Sequence, residues 1–373
     1  MKILLAPDKF KGSLTASAVC QAMSEGILLA DPTAEIIAVP VADGGEGTAE
    51  VLTQATAGTW HTLTVQDPLD RPIEAGFGVS GDGKTAFIEM AQASGLRLLT
   101  ASELDPFQAS TFGTGQLIEQ AIAQGVEHIV LGIGGSATND AGTGMAAALG
   151  WQFLDGSGKP LRPCGGNLAK IQNILPPENR WSGTVEVACD VTNPLIGPQG
   201  ATYIYGPQKG AKPEDLPVLD AGMANWAKIV NQQFGLELTT MPGAGAAGGL
   251  GAGAVLFLNG KLTEGVNLVI SHTKLAQKLT GVDLVMTGEG RIDNQTLQGK
   301  LIAGIVRLAQ EKHIPVIALC GSLQLTPNEL KELGLTSAFS VVPGPVSLAD
   351  AIANAADYLK QTMFQVMRLL GKH

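Results

Sequence analysis

Short, wholly apolar runs recur along the chain, and most end in a cluster of glycine, aspartate, serine or threonine. Residues 2–6 (KILLA) open the series and predict a buried strand. Residues 16–29 follow with helical character, and Ser13 or Thr15 stands ready to cap that helix. The alternation repeats: strands at 35–41, 127–131, 151–155, 184–191, 282–286, 314–320 and 338–342, helices at 49–56, 114–123, 141–149, 216–234, 297–310, 327–333 and 348–370. Residues 262–281 read as a further helical region. Strand alternating with helix predicts an α/β protein with parallel sheet.

The texture changes after residue 59. Residues 60–65 alternate polar and apolar, 67–72 (DPLDRP) form a turn, and 73–79 and 85–90 are short strands, which predicts antiparallel hairpins. Residues 1–66 and 282–373 share the doubly wound texture. The expectation is therefore a two-domain α/β fold: a discontinuous Rossmann-like doubly wound domain, 1–66 with 282–373, and an inserted second α/β domain, 67–281.

Two local patterns need care. Residues 78–85 (GVSGDGKT) satisfy the P-loop formula, but that motif needs a helix beginning at its Lys-Thr. Thr85 opens a strand pattern and residues 81–83 (GDG) read as a hairpin turn, so the P-loop is rejected. In residues 243–258 (GAGAAGGLGAGAVLFL), Gly245, Gly249 and Gly253 recur every four positions. On a helix they form one face that admits another backbone closely.

Composition narrows the class. The chain has 373 residues, 16% charged and 45% hydrophobic, with 48 glycines, which suits a compact α/β protein with much buried strand. Its net charge of −10 and lack of any Lys/Arg run exclude a nucleic-acid surface. No run is long and apolar enough for a membrane span, and the N-terminal apolar run is too short for a signal peptide. The four cysteines are scattered without a CxxC pair, so a reduced, cytoplasmic setting is expected. The five histidines (His61, His128, His272, His313, His373) share no motif and read as structural or surface. A homo-oligomer remains open.

In an acidic chain, cations set in glycine loops stand out. After the strand at 282–286 comes TGEG (287–290), then Arg291 and Asp293. After the first strand come Asp8, Lys9, Lys11 and Ser13; after the second, Asp43, two glycines and Glu46. Ligands bind at the carboxyl ends of strands in open α/β sheets. Mixed acids, cations and glycines suit phosphate with a metal. Residues 132–140 (GIGGSATND) add a fourth loop. Gly132, Gly134 and Ala137 match the dinucleotide pattern with Asp155 downstream, while the crowded hydroxyls and acids suit phosphate and metal better. Asp190, after the strand at 184–191, is a candidate metal ligand or base, and Lys209 a further candidate cation.

Several long stretches resemble the bacterial type-I glycerate kinase family: APDKFKGSLTA (6–16), PVADGGEGT (40–48), IEMAQASGL (88–96), GIGGSATNDAGTGM (132–145), CDVTNPL (189–195), GPQKGA (206–211), GAGAAGGLGAG (243–253) and TGEGRIDNQTLQGK (287–300). The resemblance implies phosphoryl transfer from ATP, with Mg²⁺, to D-glycerate, giving 2-phosphoglycerate in most members, with 3-phosphoglycerate the alternative. On motif placement, Lys9, Lys11 and Arg291 meet the transferred phosphoryl group or the glycerate carboxylate. Asp190 and Asp293 are base or Mg²⁺ ligand, their roles undivided. Asp8, Ser13, Asp43, Glu46, Lys209 and Glu289 are candidate substrate contacts, and Gly134, Gly135, Ser136, Asn139 and Asp140 candidate contacts of the ATP phosphates. The rival readings are a nicotinamide-dependent hydroxy-acid dehydrogenase and a non-catalytic binder of small anions.

Overall fold

The computed structural model describes residues 1–298 and 300–371, with the side chains of Gln295, Gln298 and Lys300 left aside. His373 lies outside the described residues. In chain order the strands are β1 (Lys2–Pro7), β2 (Glu35–Ala38), β3 (Thr59–Gln66), β4 (Pro72–Val79), β5 (Thr85–Glu89), β6 (His128–Gly132), β7 (Gln152–Leu154), β8 (Asn173–Leu175), β9 (Thr184–Ala188), β10 (Lys261–Thr263), β11 (Leu284–Ile292), β12 (Val316–Leu323) and β13 (Ser337–Ser340).

The chain divides into two compact units, Met1–Asp43 with Val269–His373, and Gly44–Leu268. The sequence pattern puts the first crossing at 66/67. The structure puts it earlier because β3 pairs along its whole length with β4, so 44–66 packs with the inserted segment. The return falls at Val269 rather than 282.

In the first unit the sheet order is β13-β12-β11-β1-β2, and every pairing is parallel. Ile3, Leu5, Leu284, Met286, Ile317 and Leu319 pack against Val19, Met23 and Ile27 of helix Ala16–Ala30 and against Leu359, Met363 and Met367 of helix Ala355–Leu370. Thr15 caps the first of these helices, its side chain accepting from Ala18 N–H at 3.2 Å. The closing helix is not continuous: it breaks at Asn354 into Leu348–Ala353 and Ala355–Leu370.

In the second unit the order is β10-β9-β6-β5-β4-β3, antiparallel at the β3/β4/β5 end and parallel from β5 to β10. The hairpin expected from residues 59–90 is there. Gly83 N–H donates to Ser80 O at 2.8 Å in the β4–β5 turn, and Lys84 precedes a strand, so the P-loop formula has no P-loop geometry. The region expected to be helical from 262 begins instead with β10, which pairs with β9.

The glycine-rich segment departs from a plain helix. Ala247, Gly248 and Gly249 take left-handed φ values of 53°, 66° and 87° inside Ala246–Leu258, so the four-residue spacing does not make one helical face. Close backbone approach is what the glycines serve. A Cβ on Gly248 would lie 2.8 Å from Asn139 Cα, and one on Gly253 would lie 3.1 Å from Gly142 Cα. The first distance is too short for a side chain and the second is tight against backbone, so the segment is laid against the loop that follows β6.

All four cysteines are free thiols; Cys20, Cys164 and Cys320 are buried and Cys189 half-buried. Among the described residues no helix is long and apolar enough to cross a membrane.

Candidate active site

In the first unit, β1 and β11 run side by side with Pro7 opposite Gly288. Asp8, just past the end of β1, therefore stands beside Glu289 of β11. On the other side of β1, Val39 N–H donates to Leu5 O at 2.8 Å and Val41 N–H to Pro7 O at 3.1 Å. These bonds lead Asp43 to the same end of the sheet. Asp8, Lys9, Lys11, Asp43, Glu289, Arg291 and Asp293 line one cavity of about 560 Å³.

Residues 287–292 are strand, not loop. β12 runs beside β11 far enough to pair Arg291 with Ser322 and Ile292 with Leu323. Strand alternation then places Glu289 and Arg291 on one face. Gly290 faces the other way, where a Cβ would stand 3.1 Å from Lys11 N. Thr296 Oγ1 donates to Glu289 Oε1 at 2.7 Å and accepts Asp293 N–H at 3.1 Å. Arg291 Nε lies 3.4 Å from Asp293 Oδ2. Thr296 lies within the 287–300 stretch, and only the fold makes it a bridge between Glu289 and Asp293. Ser13 is turned elsewhere, its Oγ donating to Ile352 O at 2.9 Å.

Crowded negative charge dominates this cavity. Burial, then repulsion from Asp43, push the Asp8 carboxyl up to about 7 against the pull of Lys9. Glu289 is also raised, by burial first and then by Asp293 and Asp43, with the Thr296 bond opposing. Among the described residues no group of three or more His, Cys, Asp or Glu forms a metal site by itself. Mg²⁺ is usually held by one or two carboxylates, with phosphate and water completing its shell. The hard carboxylate oxygens of Asp8, Asp43, Glu289 and Asp293 lining one cavity fit such an ion.

In the second unit β5, β6 and β9 are parallel neighbours. Past β6, Gly134 and Gly135 are exposed, while Ser136, Thr138, Asn139 and Asp140 are buried. Asp140 accepts Thr111 Oγ1 at 2.8 Å and the amides of Thr111, Gly142 and Gly144 at 2.9, 3.1 and 3.1 Å. Burial raises its pKa and these bonds oppose the rise. Its carboxylate closes the loop from within. Asn139 Nδ2 donates to Thr202 Oγ1 at 3.1 Å. Lys209 is 1% exposed and donates from Nζ to Ser136 Oγ at 2.7 Å and Thr138 O at 2.6 Å. Burial pulls its pKa down to about 7, with Asp140 opposing. Of the residues expected at the ATP phosphates, Gly134 and Gly135 are thus the two that offer surface. The polar residues after them, and Lys209, are spent on the loop's interior.

Gly134 and Gly135 line a cavity of about 220 Å³ together with Gly44, Gly45, Glu46, Glu89 and Arg97. Glu46 is ion-paired with Arg97. Arg97 is a cation beside a glycine loop that the sequence reading passed over, although it directly follows residues 88–96. Glu89 Oε1 accepts Ala49 N–H at 2.8 Å at the start of helix Thr48–Ala55. Asp190 is exposed just past β9, its Oδ1 accepting Gly265 N–H at 3.1 Å.

The dinucleotide pattern fails on geometry. Its glycines should open a helix directly, but the helix after β6 begins only at Thr143. Asp155 is occupied in its own turn, accepting Ser157 and Lys159 amides at 2.8 and 3.0 Å. A larger cavity, about 780 Å³, is walled by Trp151, Trp181 and Phe257. It is also lined by Glu119, Asn179 and Arg180, and it shares no residue with either loop cluster.

Parallel strands whose carboxyl ends gather acids, cations and bare glycine backbone define an α/β enzyme for charged small molecules. Comparison with known proteins makes this specific. The model of the Glycerate kinase family matches residues 3–371. A glycerate kinase of Halalkalibacterium halodurans is 44% identical over 96% of this chain and 95% of its own. A glycerate 2-kinase of Escherichia coli K12 is 43% identical over 96% and 94%. A crystal structure from Salmonella typhimurium LT2, assigned as a glycerate kinase 2, superposes with a TM-score of 0.92 at 41% identity, covering 99% of this chain and 98% of that one. The chain belongs to the glycerate kinase family, and it is a kinase.

Proposed function

We propose that this kinase transfers the γ-phosphoryl group of ATP, with Mg²⁺, to the 2-hydroxyl of D-glycerate, giving 2-phosphoglycerate and ADP. The observation that carries the reading is the cavity of about 560 Å³ in which Asp8, Asp43, Glu289 and Asp293 stand with Lys9, Lys11 and Arg291. Phosphoryl transfer needs cations on the migrating group, an acceptor for the hydroxyl proton and a partner for the substrate carboxylate. That cavity offers each. The 2-position is supported by the relative named glycerate 2-kinase.

In this reading Arg291 and Lys11 neutralise the transferred phosphoryl group, and Lys9 meets the glycerate carboxylate. Asp8 accepts the proton of the attacking hydroxyl, because a carboxyl near 7 is matched to proton transfer at neutral pH. Asp43 orients a substrate hydroxyl. Asp293 is the carboxylate proposed for Mg²⁺ in this cavity, where the ion would spread the charge of the phosphate oxygens. The exposed amides at Gly134 and Gly135 meet donor phosphates. Glu46, paired with Arg97, holds that cation beside the turn. We also read the first unit as Rossmann-like: numbered by itself, its strand order is the doubly wound 2-1-3-4-5.

The test is ADP release measured with D-glycerate, ATP and Mg²⁺ each omitted in turn. The reading expects turnover that needs all three. Folded protein without turnover would overturn it in favour of a non-catalytic binder, and saturable NAD(H) binding with glycerate oxidation in favour of a dehydrogenase.

A further inference from the structure

A lysine buried to 1% exposure is costly, since burial disfavours its charged form. Lys209 meets that cost with two short bonds, to Ser136 Oγ and Thr138 O. Its own backbone is fixed. It ends the turn Pro207–Lys209, and Gly210 follows with a φ of +98° against Leu104. Asp140 closes the far end of the loop it grips, but nearer the glycines the loop has little bonding of its own. Thr138 Oγ1 and Asn139 Oδ1 are buried and have no hydrogen-bond partner among the described residues. The loop's shape is imposed from outside. On one side Leu96 N–H donates to Gly135 O and Ala137 N–H to Ser94 O, both at 2.9 Å. Gly248 and Gly253 press on its later residues. Lys209 adds a hold from inside the fold, on Ser136, which directly follows the exposed Gly134–Gly135 turn, and on Thr138 two residues further on.

We propose that Lys209 is a positioning residue for the phosphoryl donor: from inside the fold it fixes the Gly134–Gly135 turn in the form that receives donor phosphates. This rests on the assignment of that turn under Proposed function. Lys209 touches no substrate in this role. Its loss lets the turn relax, and nucleotide binding weakens while acceptor binding does not.

The experiment compares wild type with Lys209→Met, which keeps the side chain's length and removes its charge and donors. Calorimetric titration with the magnesium complex of a non-hydrolysable ATP analogue gives nucleotide affinity; steady-state kinetics gives KM for ATP and for D-glycerate. The expected result is nucleotide affinity lowered about tenfold or more and KM for D-glycerate within about twofold, a split that general loosening does not produce. Unchanged nucleotide affinity, or equal losses for both substrates, overturns the proposal. Should Lys209→Met not fold, Ser136→Ala removes one of the two bonds and is expected to shift the same way by less. A folded Ser136→Ala protein with wild-type nucleotide affinity then overturns it. Wild-type protein that binds no nucleotide sinks the functional reading and this inference together, whereas normal wild-type binding with an unaffected variant sinks the inference alone.

Discussion

Asp8 Oδ1 accepts the Lys9 amide at 2.6 Å, and that one short bond does not hold the Asp8 carboxyl in the ordinary range. Burial and Asp43 raise it to about 7. Two consequences can be measured on Asp8→Asn. As the proposed base, Asp8 must be ionised, so wild-type kcat/KM should rise with pH through about 7. The variant should lose that limb and about 10²–10⁴ in kcat. Stability moves the other way. A carboxyl raised on folding stabilises the fold below its unfolded value, and the contribution is gone above about 7. Asp8→Asn should therefore melt higher than wild type at pH 8. Full activity in the variant would remove Asp8 from the chemistry.

Arg291 is exposed on β11, on the face it shares with Glu289. If it neutralises the migrating phosphoryl group, Arg291→Ala should lower kcat by about two decades or more, with melting temperature unchanged. Near-normal turnover by the folded variant contradicts that role.

Asp140 differs in kind. Three backbone amides and the Thr111 hydroxyl converge on it in a fully buried place. Asp140→Ala strands those donors, and a loss of about 3 kcal/mol or more of folding stability is expected, since each buried unsatisfied group costs about 1–3 kcal/mol. Urea unfolding measures it. A variant as stable as wild type would show that the loop does not depend on this carboxylate.

Lys84 tests the rejected P-loop. It follows a hairpin turn and lies 3.4 Å from Glu127 on the exposed surface. Lys84→Ala should keep kcat and KM for ATP within about twofold, as surface changes away from a site do. A large rise in KM for ATP would restore the P-loop reading.

The parallel sheets, the hairpins and most helices were legible because burial leaves a plain mark in apolar periodicity; helices Leu216–Phe234 and Pro327–Leu333 fall where the pattern puts them. In residues 287–292 the glycines suggest a turn, whereas the structure makes them strand. Only the partner strand β12, remote in sequence, makes them strand. The left-handed backbone at Ala247–Gly249 is not legible in the sequence, where the glycines next to it press on a loop more than a hundred residues earlier in the chain. Within the candidate site, Asp8, Lys9, Lys11, Asp43, Glu289, Arg291 and Asp293 were all flagged, because acids and cations at strand ends are visible in one dimension. Burial is not, so the sequence does not reveal that Lys209 and Asp140 face inward and bond within the fold.

The most direct measurement is ³¹P NMR of the product formed from D-glycerate, ATP and Mg²⁺. The account predicts one new phosphomonoester signal, appearing in step with ADP and split by a single CH proton, as a 2-phosphate must be. A signal split by a CH₂ pair would place the phosphate at the 3-position and contradict the proposed regiochemistry. No new signal from folded protein would contradict glycerate phosphorylation itself.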